Sequence, residues 1–114
     1  MAIVGAGSIG FTQTLIRDCL LVPELQDSVF ALHDISDHNL QLIARLIERD
    51  ITAAGLPARI EATTDRAAAI RAADFVLCTA RVGGLDAFAL DVEIPLKYGV
   101  DQCVGDTLCA GGLM

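Results

Sequence analysis

Apolar residues along this chain come in short runs and in helical stripes, and the two alternate. Ala2 to Val4 is a short apolar run that ends in GAGSIG. Residues 11–21 then read as a helix, because Phe11, Leu15 and the Cys19–Leu20 pair recur at helical spacing. Pro23 stands just past its end, where a helix cannot continue. Val29 to Leu32 is a second apolar run, closing at His33–Asp34. A longer helix follows, with Asp37 as its N-cap and Leu40, Ile43, Ile47 and Ile51 at steps of three and four. Gly55 and Pro57 stop it. Arg59 to Thr63 alternates like a strand, and Asp65 caps an alanine-rich helix over 66–72. Asp74 to Thr79 is a fourth strand, apolar enough to be buried on both faces. Gly83–Gly84 break the chain, and a helical stretch runs on to about Lys97.

Strand and helix in strict alternation predict an α/β fold, a Rossmann-like doubly wound parallel sheet. Right-handed crossovers leave few other ways to connect it. About four strands are expected here, against about six in a complete dinucleotide-binding fold. The reading is therefore of a truncated sheet, with 1–114 as one incomplete N-terminal NAD-binding domain. Its last edge would be unpaired and prone to association.

The candidate chemistry sits at the first strand–helix junction. Gly5, Gly7 and Gly10 form GxGxxG directly after a strand and directly before a helix. In that context Gly5 permits a tight turn, Gly7 lets a pyrophosphate approach the backbone, and Gly10 lets the helix pack on the strand. The helix N-terminus offers unpaired N–H groups and a partial positive charge. The expected cofactor contacts are thus Gly5, Ala6, Gly7, Ser8, Ile9, Gly10, Phe11 and Thr12, with the Ser8 and Thr12 hydroxyls as extra donors. Asp34, at the end of the second strand, lies near the roughly 20-residue distance expected of a ribose-binding carboxylate. A carboxylate there accepts from both ribose hydroxyls and repels a 2′-phosphate, which favours NAD over NADP. The plainer readings are a ligand-free turn for the glycines and a helix cap or solvated strand end for Asp34. A second expected contact is the loop after the fourth strand, where Arg81, Val82 and Gly83 follow Thr79–Ala80 at the switch point of the sheet. An ordinary loop, with Arg81 as a surface charge, is the alternative there.

Composition narrows the partners. Hydrophobic residues make up 54% of the 114, enough for one small core, and the formal charge of −7 opposes binding to nucleic acid or anionic membranes. No apolar run approaches the roughly 20 residues of a membrane span, and no signal peptide is apparent. A cytoplasmic location is expected. The four cysteines form no CxxC pair, and Cys19 and Cys78, within apolar runs, read as small core residues.

Several longer stretches resemble one family. GAGSIGFTQTLIRDCLLVPEL, ALHDI, ADFVL, RVGG, IPLKYGV and GDTL occur in this order, and together they resemble the N-terminal domain of glycoside hydrolase family 4 over essentially the whole chain. The resemblance implies a glycosidase that uses NAD and a divalent metal, usually manganese, outside the usual two-carboxylate scheme. It implies oxidation of the sugar at C3, loss of the C2 proton to a base, elimination of the glycosidic oxygen, addition of water and return of hydride. It maps the glycine loop onto Gly5, Gly7 and Gly10, the ribose acid onto Asp34, and an acidic residue near the catalytic base onto Asp106. Asp106 has a plainer reading as a helix cap or loop hydrogen-bonder. The metal ligands, proton donor and tyrosine base are expected downstream, outside this chain, with the metal and substrate domain. Cys103, Cys109, His33, His38 and Tyr98 are not assigned to those roles, and Tyr98 reads as a packing residue. Cys109–Ala110 stand where the family usually has Gly-Pro.

The same resemblance points to a branch. Members acting on 6-phospho-sugars carry an arginine where Phe88 stands here, and an aromatic ring cannot pair with a phosphate as a guanidinium does. GDTL also resembles the branch acting on unphosphorylated α-galactosides. The expectation is the NAD-binding part of an α-galactosidase with a small glycoside substrate, inactive by itself, from a homo-oligomeric parent; uronidases are close relatives. Two alternatives stay open on the residues alone. One is a fragment of a lactate- or malate-dehydrogenase-like oxidoreductase, which shares the loop but has a Lys-Pro-Gly signature missing after strand four. The other is a nucleotide-binding module without catalysis.

Overall fold

The structure is a computed structural model, and it describes residues 1–101. The strands are β1 (Ala2–Val4), β2 (Val29–His33), β3 (Arg59–Thr63) and β4 (Val76–Cys78). The helices are α1 (Ile9–Leu20), α2 (Asp37–Ala54), α3 (Arg66–Ile70) and α4 (Gly84–Lys97), with one 3₁₀ turn at Pro23–Leu25. The chain divides into two compact units with the boundary between Ala80 and Arg81.

The first unit is the parallel sheet expected of the sequence, in the order β3-β2-β1-β4. β1 sits centrally, with Ile3 opposite Leu32 of β2 on one side and Leu77 of β4 on the other. The chain winds outward from β1 through β2 to β3, then crosses back to lay β4 on the other side of β1. That reversal puts the switch point between β1 and β4, and the crossing helix on the opposite face. Side chains agree. Phe30 and Leu32 of β2 enter the core with Ile16 and Leu20 of α1 and with Leu40, Ile43 and Ile47 of α2. Ala31, between them, lines a cavity with Ala68 and Ala69 of α3.

Several local expectations are corrected. α1 begins at Ile9, and its buried stripe is Thr12, Ile16 and Leu20; of the expected Phe11, Leu15 and Cys19–Leu20 pair, Leu20 is buried, and the stripe otherwise lies one residue on. Phe11 is 55% exposed. Both sets satisfy a four-residue step, and only the docking of α1 on the sheet decides between them. Ser36, not Asp37, caps α2: its hydroxyl accepts from the Asn39 N–H, and Asp37 is the first helical residue. Asp65 caps α3 as expected, accepting from the Ala67 and Ala68 amides. β4 is shorter than expected and is not buried on both faces, since Val76 is 51% exposed and Cys78 is exposed. Val76 and Cys78 share the face that is left exposed, whereas Leu77 on the other face packs against the core.

The second unit, over its described residues, is built on α4. Gly83 precedes the helix with φ of 80°, and Gly84 opens it with φ of 61°. A Cβ on Gly83 would stand 2.5 Å from that of Ala87, which leaves only glycine at this start. Pro95 lies near the end of α4 and is buried, whereas Tyr98 is 81% exposed and is not the packing residue expected. No helix among the described residues is long and apolar enough to cross a membrane.

Candidate functional site

The glycine loop lies at the C-terminal end of β1, where β2 and β4 end beside it. Gly5 has φ of 88°, a left-handed conformation that glycine adopts without a Cβ penalty. A Cβ there would lie 2.6 Å from the Ala80 nitrogen, so the chain leaving β4 also presses on this position. The His33 carbonyl accepts from both the Gly5 and the Ala6 N–H at 2.9 Å, which tethers the loop to the end of β2.

The other two glycines stand differently from the expectation. A Cβ on Gly7 would come within 2.7 Å of Asp34 Oδ2, so it is the carboxylate that requires glycine here. The Gly7 N–H donates to that same oxygen at 2.7 Å, and the Ser36 N–H donates to Oδ1 at 2.9 Å. Asp34 is therefore held against the loop by two amides, one on each oxygen. Each carboxylate oxygen accepts more than one hydrogen bond, so capacity remains for further donors. At Gly10 a Cβ meets nothing within 4 Å, and close packing of the helix on the strand is not what places glycine there.

The start of α1 is left open. Ser8 is its N-cap but makes no side-chain capping bond, and no acidic residue occupies the first turn. α2 and α3 both have a side chain bonded to their first amides. The first N–H groups of α1 thus keep their donor capacity and the positive end of the helix dipole. Ser8, Ile9 and Gly10 are exposed there. Thr12 differs from its expected role as a ligand donor: it is 0% exposed, and its hydroxyl donates to the Ala6 carbonyl at 2.9 Å.

Of the expected site residues, the structure brings Gly5, Ala6, Gly7, Ser8, Ile9, Gly10 and Asp34 to one loop cluster, with Phe11 on the adjoining helical turn. Arg81, Val82 and Gly83 belong to the second unit. There the Arg81 guanidinium lies over the Phe88 ring, 4.7 Å from its centroid, in a cation–π arrangement. Asp106 lies outside the described residues, as do Cys103 and Cys109. Thr79 belongs to the expected second contact loop, whereas His33 and Ile35 were passed over as contributors. Thr79 donates its hydroxyl to the Gly5 carbonyl at 2.9 Å, His33 acts through its main chain, and Ile35, next to Asp34, leaves its side chain 94% exposed. An isolated apolar residue directly after the acidic one was a readable signal for Ile35; nothing local marked the main-chain role of His33.

A phosphate-type loop, an uncapped helix and a fixed acid are common to many nucleotide-binding proteins, so family assignment rests on comparison. The model of the family 4 glycosyl hydrolases matches residues 1–114. The chain belongs to the family 4 glycosyl hydrolases. Membership in that family decides against the dehydrogenase alternative. An alpha-galactosidase of Rhizobium meliloti (strain 1021) is 57% identical over the whole chain, which covers 23% of that protein. An alpha-galactosidase of Bacillus subtilis (strain 168) is 34% identical over 96% of the chain, which covers 26% of it. Among solved structures, a 6-phospho-alpha-glucosidase from gut microorganisms, in complex with NAD and Mn²⁺, superposes with a TM-score of 0.73 at 28% identity. That match covers 98% of this chain and 25% of the glycosidase. The chain thus spans about a quarter of the length of these family 4 relatives.

Proposed function

We propose that the chain is the NAD-binding part of a family 4 glycosidase acting on α-galactosides. The observation that carries the cofactor reading is the pairing of an uncapped α1 N-terminus with the doubly anchored Asp34 carboxylate across the same loop. Amides at the start of α1 suit the diphosphate. The open space over Gly10 suits its approach. Asp34 has acceptor capacity for the ribose hydroxyls, and its charge disfavours a 2′-phosphate. The exposed Ile35 side chain offers the adenine an apolar surface. Bound NAD supplies a hydride acceptor and donor for the sugar, and the chain's own residues bind and orient it. No group of three or more His, Cys, Asp or Glu side chains among the described residues is gathered to hold a metal ion. In this reading manganese takes its ligands elsewhere, and Asp106 keeps its proposed place near the catalytic base.

The α-galactoside assignment is supported by the two alpha-galactosidase relatives and by Phe88 in place of a phosphate-pairing arginine. Calorimetric titration of the chain tests the cofactor part. NAD is expected to bind saturably, and NADP at least about tenfold more weakly, as loss of a hydrogen bond to a charged group implies. Equal binding of the two removes Asp34 from the ribose, and saturation by neither sinks the reading. For the full-length protein with NAD and manganese, cleavage of nitrophenyl α-galactoside is expected to exceed that of its 6-phospho analogue; the reverse order overturns the substrate class.

A further inference from the structure

Two successive peptide planes of the glycine loop are each held at both ends. In the Gly5–Ala6 plane, the Gly5 carbonyl accepts from the Thr79 hydroxyl at 2.9 Å, and the Ala6 N–H donates to the His33 carbonyl at 2.9 Å. In the Ala6–Gly7 plane, the Ala6 carbonyl accepts from the Thr12 hydroxyl at 2.9 Å, and the Gly7 N–H donates to Asp34 Oδ2 at 2.7 Å. A trans peptide is rigid, and its C=O and N–H point opposite ways. Whatever holds the oxygen therefore aims the hydrogen. The two hydroxyls come from different elements, Thr12 from the buried face of α1 and Thr79 from just beyond β4.

We propose that Thr12 and Thr79 are positioning residues, a hydroxyl clamp that fixes the orientation of the loop planes for the diphosphate and ribose of the cofactor. The inference rests on the NAD reading above. With either hydroxyl gone, its plane is held at the N–H end alone and turns more readily toward the flipped arrangement. A flip of the Ala6–Gly7 plane withdraws the Gly7 N–H from Asp34 and sets a carbonyl dipole against that carboxylate. A flip of the Gly5–Ala6 plane detaches Ala6 from β2. Each change misplaces the groups that meet the ligand, although neither threonine touches it. Thr12 thus acts on the ribose acid through one peptide plane, and Thr79 links the end of β4 to the loop.

The test uses Thr12→Val, Thr12→Ser, Thr79→Val and Thr79→Ser in the full chain. It reads NAD affinity by calorimetry and, without ligand, amide hydrogen exchange by NMR. The valine variants are expected to lose about tenfold in NAD affinity, corresponding to one net hydrogen bond. The serine variants, which keep the hydroxyl, are expected to stay within about twofold of wild type. Exchange is expected to quicken at Gly7 in Thr12→Val and at Ala6 in Thr79→Val, while Ile3 and Leu32 in the sheet keep their protection. That locality separates a clamp from general loosening. If a valine variant fails to fold, the corresponding Thr→Ala and Thr→Ser pair takes its place, and equal loss in both overturns the clamp. Valine variants that bind NAD like wild type also overturn it, and leave the cofactor reading standing. Wild-type chain that ignores NAD, with the local exchange responses present, sinks the cofactor reading and the clamp's role for the cofactor with it, and leaves only a structural hold on the loop planes.

Discussion

Gly7→Ala isolates the contact on which the ribose acid depends. Gly7 does not have a positive φ, so alanine is permitted by the backbone itself. The obstacle is the neighbour: the new methyl would lie 2.7 Å from Asp34 Oδ2 and 2.8 Å from its Cγ. Asp34 is short and anchored through both oxygens, so relief requires moving the carboxylate and stretching the 2.7 Å bond from the Gly7 N–H. A hydrogen bond to a charged group contributes about 1.5–3 kcal/mol. Replacing glycine where φ allows it returns about 0.4–1 kcal/mol by restricting the unfolded chain. The net expectation is a destabilisation of about 0.5–2.5 kcal/mol. In an Asp34→Ala background the obstacle and the bond are both gone, and Gly7→Ala should stabilise by about 0.4–1 kcal/mol. Urea unfolding of the four proteins gives the interaction energy, expected near the value of the lost bond, about 1.5–3 kcal/mol. NAD titration should show Gly7→Ala approaching the affinity of Asp34→Ala. An interaction energy below about 0.5 kcal/mol would refute the reasoning, because distant, independent sites add to within that margin.

Gly10→Ala should separate the fold from the ligand. Gly10 is the second residue of α1 with open space where a Cβ would go, so alanine should raise stability by about 0.4–1 kcal/mol through the unfolded chain. NAD affinity should fall in the same variant, because the methyl enters the proposed approach of the diphosphate; undiminished binding places the diphosphate elsewhere. Asp50 ties α1 to α2 at the surface, and its pKa is lowered from 3.8 to about 2, chiefly by the hydrogen bond from Gln13 and then by those from Arg17 and Arg49. A depressed carboxylate stabilises the fold above its unfolded pKa, and that contribution is lost as pH falls through the folded value. Asp50→Asn should therefore be less stable than wild type at neutral pH, with the gap closing between pH 3.8 and about 2 in acid unfolding curves. A gap independent of pH would show that the charge is not what Asp50 contributes.

The architecture was legible because it is written in local patterns. Short apolar runs followed by helical stripes identified parallel strands and their crossovers, and glycines between the first strand and first helix located the loop. Asp34 was legible because it ends the second strand. What the loop residues do was not legible. The sequence suggested the Thr12 hydroxyl as a ligand donor, whereas the folded chain turns it inward to Ala6, and nothing in the sequence indicated that Gly7 stands against Asp34. Periodicity likewise could not choose between Phe11 and Thr12 as the buried residue, since both recur every four residues along α1.

The sequence alone determined that a strand, a glycine turn and a helix start follow one another, because those elements depend on residues a few positions apart. Only the tertiary structure decided which donor meets which acceptor. Gly7 and Asp34 are separated by 27 positions, and Thr79 and Gly5 by 74. They meet because the strand order sets β2 and β4 on either side of β1. Tertiary structure also decided that Val76 and Cys78 are exposed while Leu77 packs on the core: burial depends on whether another element covers a face, and hydrophobicity records only what burial would gain.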